Sequence, residues 1–361
     1  MLKLHYAIIC LLYGHLSETM AFPSILSNIN WMAGVESPDS FEWPQITIPT
    51  KRETAPNGST IIWVIQDTYE GSTFFDTFDF YTGPDPTNFV DQQTAFNDGL
   101  AYVTSDNQVI MRGDNTTQLA YGVNRSSVRI ASQAQYNMGL FILDLNMAPW
   151  GCGATTFFQT VGNGPWPYTG EIDIIEGVHD NEYNQVTWHT APEQTNGTDN
   201  LQCNAFINDN AGCGVTEWSH ASYGPLFDEA NGGVFAMKWD ENGIAVCTFI
   251  HPIGGEPVAE LTTQSCNITN YFVNHSIIFG DWAGNSYATS NCPGTCESIL
   301  MDPANFINAS WIINSLSVYK QAWWQDSGTS SATRAHPITN LKTIGWIIST
   351  IIFFQIVHVS L

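Results

Sequence analysis

Positive charge is what this 361-residue chain lacks: ten Lys and Arg stand against 34 Asp and Glu, for a formal net charge of -24 at pH 7. Nucleic-acid binding relies on clustered Lys and Arg that displace counterions from phosphates, so nucleic acid is excluded as a partner. The same deficit disfavours anionic membrane surfaces and favours uncharged ligands, or an acidic milieu in which many carboxyls are protonated. Charged residues of either sign are scarce at 12%, against 43% hydrophobic, so surface polarity must come from Asn, Thr, Ser, Gln and Gly. A long helical period and an internal repeat are also missing. Short runs such as Thr60–Ile65, Gly139–Leu145 and Val234–Trp239 are instead separated by Gly, Pro, Asn and Asp clusters, the signal of an all-β sandwich or barrel. An all-β chain of this size can form one domain, and no internal linker divides the body.

The two ends differ from that body. Lys3 precedes an apolar stretch from Leu4 to Leu16, so residues 1–21 are expected to be a secretory signal peptide cut after Ala21; a buried N-terminal helix is the plain alternative. After the body, 22–326, a small polar segment precedes the apolar run Ile344–Leu361, the layout of a GPI-attachment signal in which 327–361 is removed. Ser327, Gly328, Ser330 and Ser331 are the candidate attachment residues. A membrane-spanning helix is the rival reading, but no Lys or Arg follows the tail to hold it on a cytoplasmic side. The expected location is therefore outside the cell, lipid-anchored at the outer face of the plasma membrane or in the wall.

Loss of Cys10 with the signal leaves seven cysteines, an odd number that predicts one free thiol. Cys292 to Cys296 and the Cys203/Cys213 neighbourhood read as loop staples, whereas Cys247 sits in an apolar run and reads equally well as a buried thiol. The spacings match no zinc template, and no metal site is expected. Sequons at Asn57, Asn115, Asn124, Asn196, Asn267, Asn274 and Asn308 are candidate glycosylation sites in a secretory pathway.

The most informative segment is Glu171-Ile172-Asp173-Ile174-Ile175-Glu176, bracketed by Gly170 and Gly177. Its Ile content predicts a strand. Glu171 and Asp173 then share a face, and one bulged residue within Ile174-Ile175 brings Glu176 to the same side. A helix would leave Glu171 and Glu176 about 140° apart. Retaining glycoside hydrolysis needs two carboxyls about 5–5.5 Å apart, one to attack and one to protonate the leaving oxygen. An acid between them disfavours simultaneous ionisation and keeps a proton in the set. The spacing leaves open which Glu attacks. A solvated strand face is the bland alternative, and a calcium cluster is disfavoured by the intervening Ile residues.

Several landmarks occur in order: Tyr136-Asn137 with Gly139-Leu140-Phe141, Trp166-Pro167 before Gly170 to Gly177, Asn184 to Thr190, Asn210 to Gly214, and Gly280-Asp281-Trp282-Ala283-Gly284. Together they resemble glycoside hydrolase family 16, in particular its fungal laminarinase-type endo-β-1,3(4)-glucanases. The resemblance implies a curved jelly-roll β-sandwich with an open cleft on its concave face, no cofactor, and β-glucan polysaccharide as the partner of a monomeric enzyme. It implies Glu171 as nucleophile, Asp173 as assisting acid and Glu176 as general acid/base, with His189 lining the catalytic subsite and Trp166 and Trp282 offering faces to sugar rings. Core packing is the plain alternative for either Trp, and a structural role for His189. The chain departs from the family at Cys152 to Gln159, where relatives carry a sugar-stacking Trp at the last position. Gln159 there implies one altered glucose subsite.

Overall fold

Val, Ile, Phe and Thr fill the apolar runs, and in the computed structural model these runs are strands. It describes residues 60–85, 87–192, 203–250, 257–263, 267–283 and 292–324. In chain order the strands are β1 (Thr60–Tyr69), β2 (Phe78–Phe80), β3 (Gly83–Asp85), β4 (Thr87–Phe89), β5 (Ala101–Val103) and β6 (Val109–Arg112). Next come β7 (Ser126–Ser127), β8 (Arg129–Ser132), β9 (Gly139–Met147), β10 (Ala154–Gly162), β11 (Glu171–Val178) and β12 (Gln185–His189). The last six are β13 (Cys213–Thr216), β14 (Gly233–Asp240), β15 (Gly243–Ile250), β16 (Ala259–Thr262), β17 (His275–Ala283) and β18 (Ser310–Trp324). Apart from Thr60 and Trp324, the described residues belong to one compact unit.

Two large antiparallel sheets carry the fold, as the sequence pattern predicts. One runs β16-β15-β14-β9-β18-β6-β5, with β1 also paired to β18; the other runs β13-β12-β11-β10-β17-β8-β2. The principal core contains Phe141, Phe235 and Leu316 from the first sheet and Phe158, Ile172 and Phe279 from the second. Phe158 and Phe279 stack with centroids 4.6 Å apart on adjacent β10 and β17. β10 is buried along nearly its whole length, so it offers no solvated face, and β11, its neighbour, carries the acids. The third sheet, β3-β4-β7, is small.

Cross-links follow tertiary neighbours rather than sequence neighbours. Cys203 pairs with Cys213 as expected, but Cys292 bonds Cys152 rather than Cys296. This corrects the reading of 292–296 as a self-contained staple: the bridge closes a chain separation of 140 residues, the kind of long loop whose closure restricts the unfolded chain most. Cys247 is disulfide-bonded rather than a simple buried thiol, and Cys296 is the free cysteine among the described residues. One of the few cations, Arg125, is fully buried and donates to the carbonyls of Asp114, Thr117 and Leu300. Among the sequons, Asn124, Asn267 and Asn274 are exposed and Asn115 and Asn308 half-buried. Asn57, Asn196, the signal segment and the candidate attachment residues lie outside the described residues.

Burial also retunes acids outside the carboxylate strand. Desolvation raises Asp281 to about 8, Glu217 to about 7 and Asp228 to about 6. A carboxyl raised on folding holds its proton over a wider range in the folded chain, so its contribution is complete below the ordinary carboxylate range and lost as pH rises through the folded value. His275 is lowered to about 4 by burial and opposes this trend below about 6.5. The carboxyls outnumber it. The melting temperature is therefore expected to fall by several degrees between about pH 5 and about pH 8, and Asp281→Asn to flatten the upper part of that slope in calorimetric scans.

Candidate active site

The register of β11 against both neighbours identifies its bulge. On β10, Val161, Gln159 and Phe157 stand opposite Glu171, Asp173 and Glu176; on β12 the partners are His189, Thr187 and Gln185. Each neighbour advances two residues per step, while β11 advances three between Asp173 and Glu176. Ile174 is therefore the extra residue, and all three acids project from one face. Ile172, Ile174 and Ile175 are fully buried on the other side.

A bulge leaves backbone groups without ladder partners, and here a side chain supplies them. Fully buried Asn184 donates Nδ2 to the Ile174 carbonyl at 3.0 Å and accepts the Glu176 N–H through Oδ1 at 3.1 Å. The glycine that ends the acid run has a steric cause. A Cβ on Gly177 would fall 2.0 Å from the Tyr223 ring. Gly212, at φ +61°, lies against His189, and a Cβ there would be 2.7 Å from the imidazole, so two landmark glycines exist to let rings approach.

Each outer acid has one oxygen held by neutral donors. Trp166 Nε1 donates to Glu171 Oε2 at 2.6 Å. Thr187 Oγ1 donates to Glu176 Oε2 at 2.9 Å and Gln185 Nε2 to the same atom at 3.3 Å, with Gln185 also bonded to Thr187. His189 Nε2 stands 3.3 Å from Asp173 Oδ2, and its buried Nδ1 has no hydrogen-bond partner among the described residues. Trp166 is 42% exposed, leaving ring surface for a ligand while its centroid sits 6.2 Å from that of His189.

The electrostatics match this crowding. Desolvation, then the charge of Asp173, pushes Glu171 up to about 7, with His189 and the Trp166 bond pulling against them. Asp173 is raised well above the carboxylate range by desolvation and then by Glu176. Burial and mutual repulsion thus disfavour ionising the acids together, and they titrate as a coupled set.

The sequence-derived candidates therefore converge: Glu171, Asp173, Glu176, His189 and Trp166 are together, and Gln159 lies directly opposite Asp173, buried at 8% exposure. Trp282 lies in β17 opposite Thr155, and its side chain is outside the described residues. Thr187, Gln185 and Asn184 were not singled out as site residues. The alternation of β12 with β11 was the available signal, because a strand paired to the acid strand must place every second side chain beside an acid.

Two antiparallel sheets on a common core, with three carboxyls on one face of a bulged strand, define a glycoside hydrolase scaffold. The sequence profile of XgeA-like catalytic GH16 domains matches residues 78–319, and the chain belongs to glycoside hydrolase family 16. It is 37% identical to a probable glycosidase of Schizosaccharomyces pombe, covering 74% of this chain and 72% of that one. It is 34% identical to a probable endo-1,3(4)-beta-glucanase of Aspergillus niger, covering 75% of this chain but only 41% of that one. Among solved structures it resembles laminarinase 16A of Phanerochaete chrysosporium, which was solved with β-glucans in its donor and acceptor sites. That match has 31% identity and a TM-score of 0.67, over 72% of this chain and 99% of that one. A family 16 β-1,3-glucosyltransferase described as elongating matches at 29% identity and a TM-score of 0.65, over 72% and 100% of the two chains.

Asn184→Ala is expected to destabilise the fold by about 2–4 kcal/mol, since it strands a buried carbonyl and a buried N–H; urea unfolding measures this. Trp166→Phe removes the donor that favours ionised Glu171, so the acidic limb of the kcat/KM profile is expected to move to higher pH.

Proposed function

We propose that the chain is an endo-acting, retaining β-glucanase that hydrolyses internal β-1,3 bonds, and mixed β-1,3/1,4 bonds, of neutral glucans. The observation that carries this reading is the bulged strand, which aligns three acids on one face and leaves one oxygen of each outer acid free of the described donors. Glu171 attacks the anomeric carbon through Oε1 while Glu176 gives a proton to the departing glycosidic oxygen. A covalent glycosyl ester on Glu171 results. Glu176, now a carboxylate, takes a proton from water as that water attacks the same carbon, releasing the sugar and regenerating both acids. Asp173 retains its proton so that Glu171 carries the charge, and Trp166 Nε1 orients the nucleophile.

Neutral polymers suit a protein of net charge -24, and relatives named endo-1,3(4)-beta-glucanases support this substrate class. A transglycosylating variant of the cycle, in which a glucan hydroxyl replaces water, is favoured by the likeness to the elongating glucosyltransferase. A glucan-binding protein without catalysis would have no use for the intact acid set. Secretion, removal of 327–361 and lipid anchoring belong to the same proposal, supported by the segment patterns at the two ends.

Incubation with laminarin and lichenan is expected to release reducing ends within the chain, with retained β-configuration in the first product. Glu171→Gln should lower kcat by more than about a thousandfold; undiminished release would remove Glu171 from the nucleophile role. Products longer than the substrate would identify transfer over hydrolysis.

A further inference from the structure

Beyond the acids, the ladder between β12 and β13 continues past its last pair. Gln185 is opposite Thr216, and the Glu217 N–H donates to the Asn184 carbonyl at 2.9 Å. One step further on, Tyr183 and Trp218 meet, their ring centroids 5.3 Å apart and edge to face. Tyr183, at a bend, precedes Asn184, and Trp218 follows Glu217 just past the end of β13; Asn184 is turned into the buried bulge and Glu217 has a buried carboxyl oxygen, so the aromatic pair flanks two inward-directed side chains. Gln185 itself touches Glu176. Tyr183 is therefore two residues along the chain from the residue that contacts an acid, and the pair sits beyond the paired ends of β12 and β13.

Trp218 is 77% exposed, the most exposed large hydrophobic side chain among the described residues. Its surroundings are built rather than loose. Tyr183 Oη is 2.8 Å from His220 Nε2, and His220 Nδ1 is 2.9 Å from Glu182 Oε2. The Tyr183 and His220 rings also lie 4.7 Å apart. An indole face is thus presented beside a hydroxyl, an imidazole and a carboxylate linked in series.

We infer that Tyr183 and Trp218, with His220 and Glu182, form an additional glucan-binding platform that holds glucosyl units outside the catalytic centre. This rests on the reading of the acid strand as a β-glucan hydrolase. β-Linked glucosyl residues offer apolar C–H faces that pack on aromatic rings and hydroxyls that bond to carboxylate and imidazole. The occupant is an extension of the chain being cut, because the pair adjoins Gln185 and Thr216, and Gln185 contacts Glu176. With Gln159 buried beside Asp173 rather than a Trp presented there, the platform supplies aromatic sugar contact at another point.

The test measures binding in a Glu171→Gln background, where turnover is removed. Trp218→Ala is expected to weaken affinity for long laminarin about three- to tenfold, with a smaller loss for laminaritriose, which is too short to span both places. Tyr183→Phe, which keeps the ring and breaks the link to His220, should lose less than Trp218→Ala. An unchanged melting temperature for Trp218→Ala is expected from its exposure and separates lost contact from lost fold. Equal affinity for long laminarin with and without Trp218, in a parent that cleaves laminarin, overturns the platform alone. A parent that leaves laminarin and lichenan uncut overturns the functional reading and the platform with it.

Discussion

The one-residue bulge at Ile174, filled by the side chain of Asn184, is the constraint on which the acid-bearing face depends. With the same residues in an unbulged ladder, Glu176 would point into the core and Ile175 would take its place on the acid-bearing face. Without the amide, the Ile174 carbonyl and the Glu176 N–H would lose the partner that Asn184 supplies, at about 1–3 kcal/mol for each group left unsatisfied. Asn184 is itself held by Ser222 through its backbone N–H and by Glu217 through its carbonyl. The hairpin between β11 and β12, the return of the chain after β13 and the acid geometry are therefore one connected object.

The chain's poverty in cations explains how the acids are supported. Trp166, Thr187 and Gln185 are neutral donors, and His189 is the one titratable base in contact with the three acids among the described residues. An Arg or Lys beside Glu171 would stabilise its charged form and hold its pKa down. Neutral donors orient an oxygen while leaving crowding and desolvation to set proton occupancy. The consequence is a cluster whose members resist ionising together.

Much of this was legible before any fold was known. Ile-rich spacing between Gly170 and Gly177 required a strand, and the odd interval from Glu171 to Glu176 required a bulge, because side chains alternate with period two. The location of that bulge, within Ile174-Ile175, followed from keeping three acids together. What occupies the bulge did not follow: Asn184 is a loop-to-strand residue like many others in an Asn-rich chain, and its role appears only when β12 is set beside β11. The cysteines show the same limit. Cys203–Cys213 is local and was readable, whereas Cys152–Cys292 joins segments that the sheet order alone brings together.

By itself the sequence determined the class of fold, the acid strand and the common face of its three acids, since these rest on local alternation. Tertiary structure decided which residues support those acids, where Gln159 lies, which cysteines are bridged, and that half-buried Tyr183 and exposed Trp218, 35 positions apart in the chain, form one aromatic pair. The physical reason is register. Alternation along a strand is encoded locally, but which strand lies alongside, and at what offset, is set by how two sheets together bury one core.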